Sequence, residues 1–263
     1  MVTARIERVS ASCAGEESEA NAWVIGDEDE VIVIDPGQEA ARVLDAVGER
    51  EIMAVICTHG HGTHSAAAVD IAERDEAPVA LHRADRMHWR SAHPKADPDI
   101  EMEEAGAFEV AGVRLEVLHT PGHTAGSVSL YCPDLEVLFT GDTLLASGPA
   151  PHNGIFPDFP RQLTAIGEKL LDLPPRTRVL PGHGEEFMIE DAAKRFDGWI
   201  TAGPPAVLAR GDDPFGVDPQ CFPGGYPRTP TPDARPIASD RIGHAARLGT
   251  LGKEQVRGGA ARV

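Results

Sequence analysis

An α/β fold is predicted by three observations on this chain. Strand-like apolar runs alternate with segments of helical periodicity. Several of those runs end in a glycine-containing turn that carries a histidine or an aspartate. These turns fall in two successive blocks of similar layout, and at 263 residues the chain can bury a substantial core in one large domain.

Residues 5–10, 21–25 and 31–34 read as an opening series of strands, with 26–30 as an acidic turn. Residues 39–47 place apolar side chains at 40, 43, 44 and 47, the spacing of one helical face. The apolar run 52–57 is a strand and the alanine-rich stretch 65–74 a helix. A strand at 78–81 and a short helix at 84–91 close the first block. The second block has strands near 113–118, 127–132 and 135–140, a helix at 160–172, a strand at 177–180 and a final helix at 189–201. Residues 204–263 contain 9 Pro and 9 Gly without sustained apolar periodicity. That composition predicts a domain over 1–203 and a largely extended or disordered tail over 204–263. Residues 242–256 could form a short helix docked on the body or on a second copy of the chain, a homo-oligomer. Alternatively, the tail wraps over the mouth of a site through Phe215, Phe222 and Tyr226.

The densest chemical signal is Thr58-His59-Gly60-His61-Gly62-Thr63-His64. His59 and His61 lie two apart at a strand end, so both imidazoles can converge on one point. His64 follows in the first turn of a helix and faces a second point nearby. Neutral imidazole is the commonest protein ligand for zinc and suits iron as well. Three more turns repeat the pattern. Residues 113–118 lead into His119-Thr120-Pro121-Gly122-His123, 135–140 into Gly141-Asp142-Thr143, and 178–180 into Pro181-Gly182-His183-Gly184. Single Gly-His or Gly-Asp pairs are usually turns, and the weight lies in their number and order.

Charge narrows the function classes. The net charge of −18 is concentrated before residue 204, and the tail is slightly basic. An acidic body repels phosphate backbones, which argues against a nucleic-acid partner and for a small-molecule substrate. The first fifteen residues lack the apolar run of a secretory signal, and no stretch approaches the ~20 apolar residues of a membrane span, so a soluble cytoplasmic protein is expected. The four cysteines, Cys13, Cys57, Cys132 and Cys221, show no metal-like pairing, and reduced thiols are expected. Cys57 is placed to approach the metal, but core packing is the favoured role. His93, His152 and Asn153 sit in long loops beside the strand ends, where substrate contact competes with ordinary loop roles. His82, His88 and His119 have no motif support.

Taken together, these motifs resemble the metallo-β-lactamase-fold hydrolases, whose pattern is H-x-H-x-D-H followed by a distant His, Asp and His. The resemblance spans about residues 6–200, including Asp35 in Val33-Ile34-Asp35-Pro36-Gly37. The phrases around His59, His123 and Asp142 are most similar to the glyoxalase II (hydroxyacylglutathione hydrolase) branch and its actinobacterial thiol-conjugate relatives. It implies a four-layer αββα sandwich, with His59, His61 and His123 on a first metal, His64 and His183 on a second, and Asp142 bridging both. Asp35 is then either a partner orienting a ligand histidine or a turn residue.

Thr63 departs from the pattern, since a hydroxyl stands where the family carries a metal-binding aspartate. Hydroxyl oxygen is a poor ligand beside carboxylate. One firmly bound Zn2+ and a weak or absent second ion are therefore expected. The function implied is metal-hydroxide attack on a thioester or related thiol conjugate. Two alternatives stand beside it. One is an oxygenase like the persulfide dioxygenases, with a single Fe2+ held by His59, His123 and Asp142. The other is a degenerate, non-catalytic member.

Overall fold

A computed structural model of the chain describes residues 4–12, 19–151 and 157–204. Cys13, His152, Asn153, Cys221 and the expected contacts of the tail lie outside the described residues. The first sheet holds β1 (Arg5–Ser12), β2 (Glu19–Gly26), β3 (Glu30–Ile34), β4 (Glu51–Ile56), β5 (Val79–His82) and β6 (Ile100–Met102), side by side in chain order. β1 to β3 pair antiparallel and β3 to β6 parallel. The second sheet holds β7 (Ala107–Val110), β8 (Val113–His119), β9 (Val128–Cys132), β10 (Val137–Gly141), β11 (Arg178–Pro181) and β12 (Phe187–Met188), again in chain order. Only its β10–β11 pair is parallel.

Strand alternation explains the layering, because successive side chains point to opposite faces. Trp23, Ile25, Ile32 and Ile34 turn inward and meet Leu115, Val117, Leu130, Phe139 and Leu180 of the second sheet. Trp23 stands edge-on to Phe139, with centroids 6.0 Å apart, and its indole N–H donates to the Pro181 carbonyl at 3.1 Å. Ala22, Val24, Val31 and Val33 turn outward, in one cluster with Val43 of α1 (Ala40–Val47), Ile71 of α3 (Ala68–Ala72) and Trp89 of α4 (Arg86–Ala92). On the other sheet Leu138 and Val179 turn outward, onto Ile166 and Leu170 after α5 (Phe159–Ala165) and onto Ile189 of α6 (Ile189–Ala202). Burial on both faces is why these strands read as unbroken apolar runs. The result is the expected αββα sandwich.

The helices differ from the periodicity in ways that matter for the site. The stretch 65–74 is not one helix but α2 (Gly62–Ser65) followed by α3. Between them the Ala67 N–H leaves the helical pattern and donates to the Gly37 carbonyl at 2.9 Å, a tertiary bond that overrides alanine propensity. The helix expected at 84–91 opens with a 3₁₀ turn, Arg83–Asp85, before α4. The one at 160–172 is α5, capped by Asp158, and then a π-helical turn over Ile166–Leu170. Strands β6, β7 and β12 were not apparent from the sequence, being two to four residues long. Cys57 and Cys132 are buried free thiols, and burial, aided by Asp35, pushes the Cys57 thiol well above its ordinary value. Cys57 packs in the apolar cluster under the helices. Among the described residues no helix is long and apolar enough to cross a membrane.

Candidate metal centre

Parallel strands end at a common edge, and this rule places the chemistry. Ile34 is in register with Ile56, so Asp35 and Thr58 emerge together after β3 and β4, with His59, Gly60 and His61 next. β10 and β11 likewise deliver Asp142 and, two residues beyond Pro181, His183. His64 comes from α2, and His123 from the loop between β8 and β9.

His59, His61 and His123 offer ligand atoms within 4.8 Å of one another, and so do His64, Asp142 and His183. His61 Nδ1 lies 3.2 Å from His123 Nε2. Two nitrogens bound at ~2.0–2.1 Å to one tetrahedral ion stand about 3.3–3.4 Å apart, so this spacing suits a shared cation. The rings of His59, His61 and His123 are nearly perpendicular pairwise, at 82–89°, which brings nitrogens rather than ring faces together. Asp142 lies between the two groups. Its Oδ2 is 3.8 Å from His123 Nε2 and 3.3 Å from His64 Nε2, and its Oδ1 is 2.8 Å from His183 Nδ1. His59 Nε2 is buried without a hydrogen-bond partner among the described residues. Such an orphaned group costs about 1–3 kcal/mol, which a cation would offset. The residues present therefore fit a metal.

The candidate ligand rings are oriented from behind. Asp35 accepts from the Thr58 backbone N–H and from Thr58 Oγ1, both at 2.7 Å. Thr58 Oγ1 spends its proton on Asp35, so at 3.1 Å it accepts from His59 Nδ1–H and leaves the Nε2 lone pair for the metal. Asp35 Oδ2 is also 3.3 Å from His64 Nδ1, and the Ala150 carbonyl is 3.2 Å from His123 Nδ1. Asp35 thus does both things weighed for it, turning the chain at a φ of 50° and, through Thr58, orienting the candidate ligand His59.

Electrostatics separate the two histidine groups. Burial, joined by the neighbouring histidines, holds His59 well below its ordinary value, and burial outweighs Asp142 to lower His123, so both are neutral, the form that ligates. Burial pulls His64 down, but Asp142 and Asp35 outweigh it and hold the ring well above the usual histidine range. Asp142 shows the converse: burial raises it, yet His64 and His183 hold it well below the carboxylate range.

Other residues separate cleanly. Thr63 is half-buried on α2 between His61 and His64 and brings no carboxylate to the second group. His93 Nε2 faces the Ser65 carbonyl at 2.8 Å and its ring packs on Trp89, a role in holding α2. His82 and His119 stack on each other with centroids 4.3 Å apart, outside the cluster. His88, without motif support, is half-buried with its ring 4.6 Å from that of His61. Gly182 is required by close approach: a Cβ there would lie 2.6 Å from the His64 ring and 2.7 Å from Asp142 Oδ1. Sequence reasoning also missed Gln162, whose buried Nε2 donates to the carbonyls of Thr143 (2.9 Å) and Ala150 (3.2 Å). A lone glutamine in a helix gives no signal of such a role.

A family model described as the metallo-beta-lactamase superfamily matches residues 15–183. A probable metallo-hydrolase, YqgX of Bacillus subtilis, is 33% identical over 183 residues, covering 64% of this chain and 86% of that one. A hydroxyacylglutathione hydrolase of Roseobacter denitrificans is 31% identical over 176 residues, covering 66% of this chain and 64% of its own length. The solved structure of TTHA1623 in a di-iron-bound form is 27% identical, with a TM-score of 0.60, over 72% of this chain and 97% of that one.

Proposed function

Because this chain belongs to the metallo-beta-lactamase superfamily, we propose that it is a metal-dependent hydrolase of thioesters or related thiol conjugates. The observation that carries this reading is the single carboxylate of Asp142 shared between a group of three histidines and a group of two. A divalent cation held there supplies a Lewis acid and an activated water. His59, His61 and His123, with Asp142, would hold the first ion, and Zn2+ suits such a set. His64 and His183 would hold a second ion more weakly, because Thr63 contributes no charge. Thr58 and Asp35 keep His59 in one tautomer and one orientation. The similarity to a hydroxyacylglutathione hydrolase supports an acylated thiol as substrate. The acidic body favours a small molecule over a polyphosphate.

The test combines metal analysis of protein purified without added metal with a panel of acyl thioesters. One firmly held ion, a second weakly held, and release of free thiol that chelation abolishes are the expected results. A metal-loaded protein that cleaves no thioester sinks the proposal. Thr63 also favours a second reading, an oxygenase using one Fe2+ on His59, His123 and Asp142. Iron as the resident metal, with thiol-dependent oxygen uptake, would replace the hydrolase.

A further inference from the structure

We propose that Asp85 is a positioning residue that presets the first metal position by pinning both of its ligand-bearing loops to one carboxylate. This rests on the reading of His59, His61 and His123 as ligands. Asp85 ends the 3₁₀ turn after β5 and is fully buried. Its Oδ2 accepts from the Gly60 N–H at 2.8 Å and from Thr124 Oγ1 at 2.7 Å, and its Oδ1 accepts from the Gly126 N–H at 2.7 Å. Gly60 stands between His59 and His61, and Thr124 directly follows His123. One side chain therefore joins a loop of the first sheet to a loop of the second, each bonded next to a ligand.

The fit is specific to a carboxylate. All three partners are donors, so an amide would turn its own NH2 toward a donor and lose at least one bond. A Cβ on Gly126 would lie 2.6 Å from Asp85 Oδ1, so the loop closes on the carboxylate only because that residue is glycine. Thr124 is tied in further by Ser127 Oγ, 2.7 Å from its hydroxyl and 3.0 Å from its N–H. Asp85 is not among the groups that offer ligand atoms to either position. Its contribution is preorganisation, since loops already set at the ligand spacing need no ordering when the ion binds.

The test is zinc affinity of the apo-protein, by competition with a chromophoric chelator, for Asp85→Asn, Thr124→Val and Thr124→Ser. Apo unfolding temperatures and the visible spectrum of the Co(II)-substituted protein are recorded alongside. Asp85→Asn should weaken the tighter ion by about 10–100-fold, as loss of a ligand-orienting partner does. Thr124→Val should weaken it less, Thr124→Ser should restore it, and the Co(II) bands should shift in the two weakened proteins. If Asp85→Asn does not fold, the Thr124 pair decides alone. Affinities within about twofold of wild type in the folded variants, or losses matched by the unfolded fraction, overturn the inference. A wild-type protein that binds no zinc refutes the ligand reading itself, a separate failure.

Discussion

The two proposed metal positions share one carboxylate and one strand-end plan, yet differ in ligand count and in what stands behind the ligands. The first has three buried histidines, with Thr58 behind His59 and the Ala150 carbonyl behind His123. The second has His64, backed by Asp35, and His183, which is more exposed, and it lacks the negative charge Thr63 would have carried as an aspartate. On the proposed reading, the difference implies that occupancy should follow charge and orientation as much as imidazoles in range.

Asp142→Asn attacks both positions at once and should have the largest effect. Metal content should fall to near zero, with activity lost beyond the roughly 10²–10³-fold that follows removal of one electrostatic stabiliser. Retention of one full ion would show that the carboxylate is not shared. Thr58→Val removes the hydroxyl that bonds both Asp35 and His59 and should weaken the first ion by about 10–100-fold, more than the second, with Thr58→Ser near wild type. An equal loss at both positions, read by chelator competition, would break the asymmetry argued above. Thr63→Asp should tighten the second ion by about tenfold, or ~1.4 kcal/mol, and leave the first unchanged. Unchanged stoichiometry and affinity would remove Thr63 as the cause of the weakness. His119→Ala removes the stack on His82 and the 3.0 Å bond from Nε2 to the Ala125 carbonyl in the loop that carries His123, and should lower stability by about 0.5–1.5 kcal/mol with a smaller loss of metal affinity than Thr58→Val. An equal loss of metal affinity would place that pair within the centre.

Legibility followed the range of the interactions. His59, His61 and His64 stand out because three ligand types crowd one short segment, and His123, Asp142 and His183 because each ends an apolar run in a glycine turn. Residues 31–34 and 52–57 announce buried strands through unbroken apolar runs, but such runs do not say which side chains face the second sheet. Asp85 and Gln162 carry no such mark, since their partners lie on other strands and loops and their own neighbours in sequence are ordinary. The break between α2 and α3 was hidden for the same reason: Gly37, thirty residues upstream, takes the Ala67 N–H.

The sequence alone determined the α/β class, the two-block layout and which side chains could ligate, because periodicity and residue chemistry are local properties. Only the tertiary structure decided the distances at which Asp142 stands from the two histidine groups, that Thr58 relays Asp35 to His59, and that Asp85 joins a loop of each sheet. Those relations depend on parallel strands ending at one edge and on hydrogen bonds between segments far apart in the chain, and no local pattern encodes such distances.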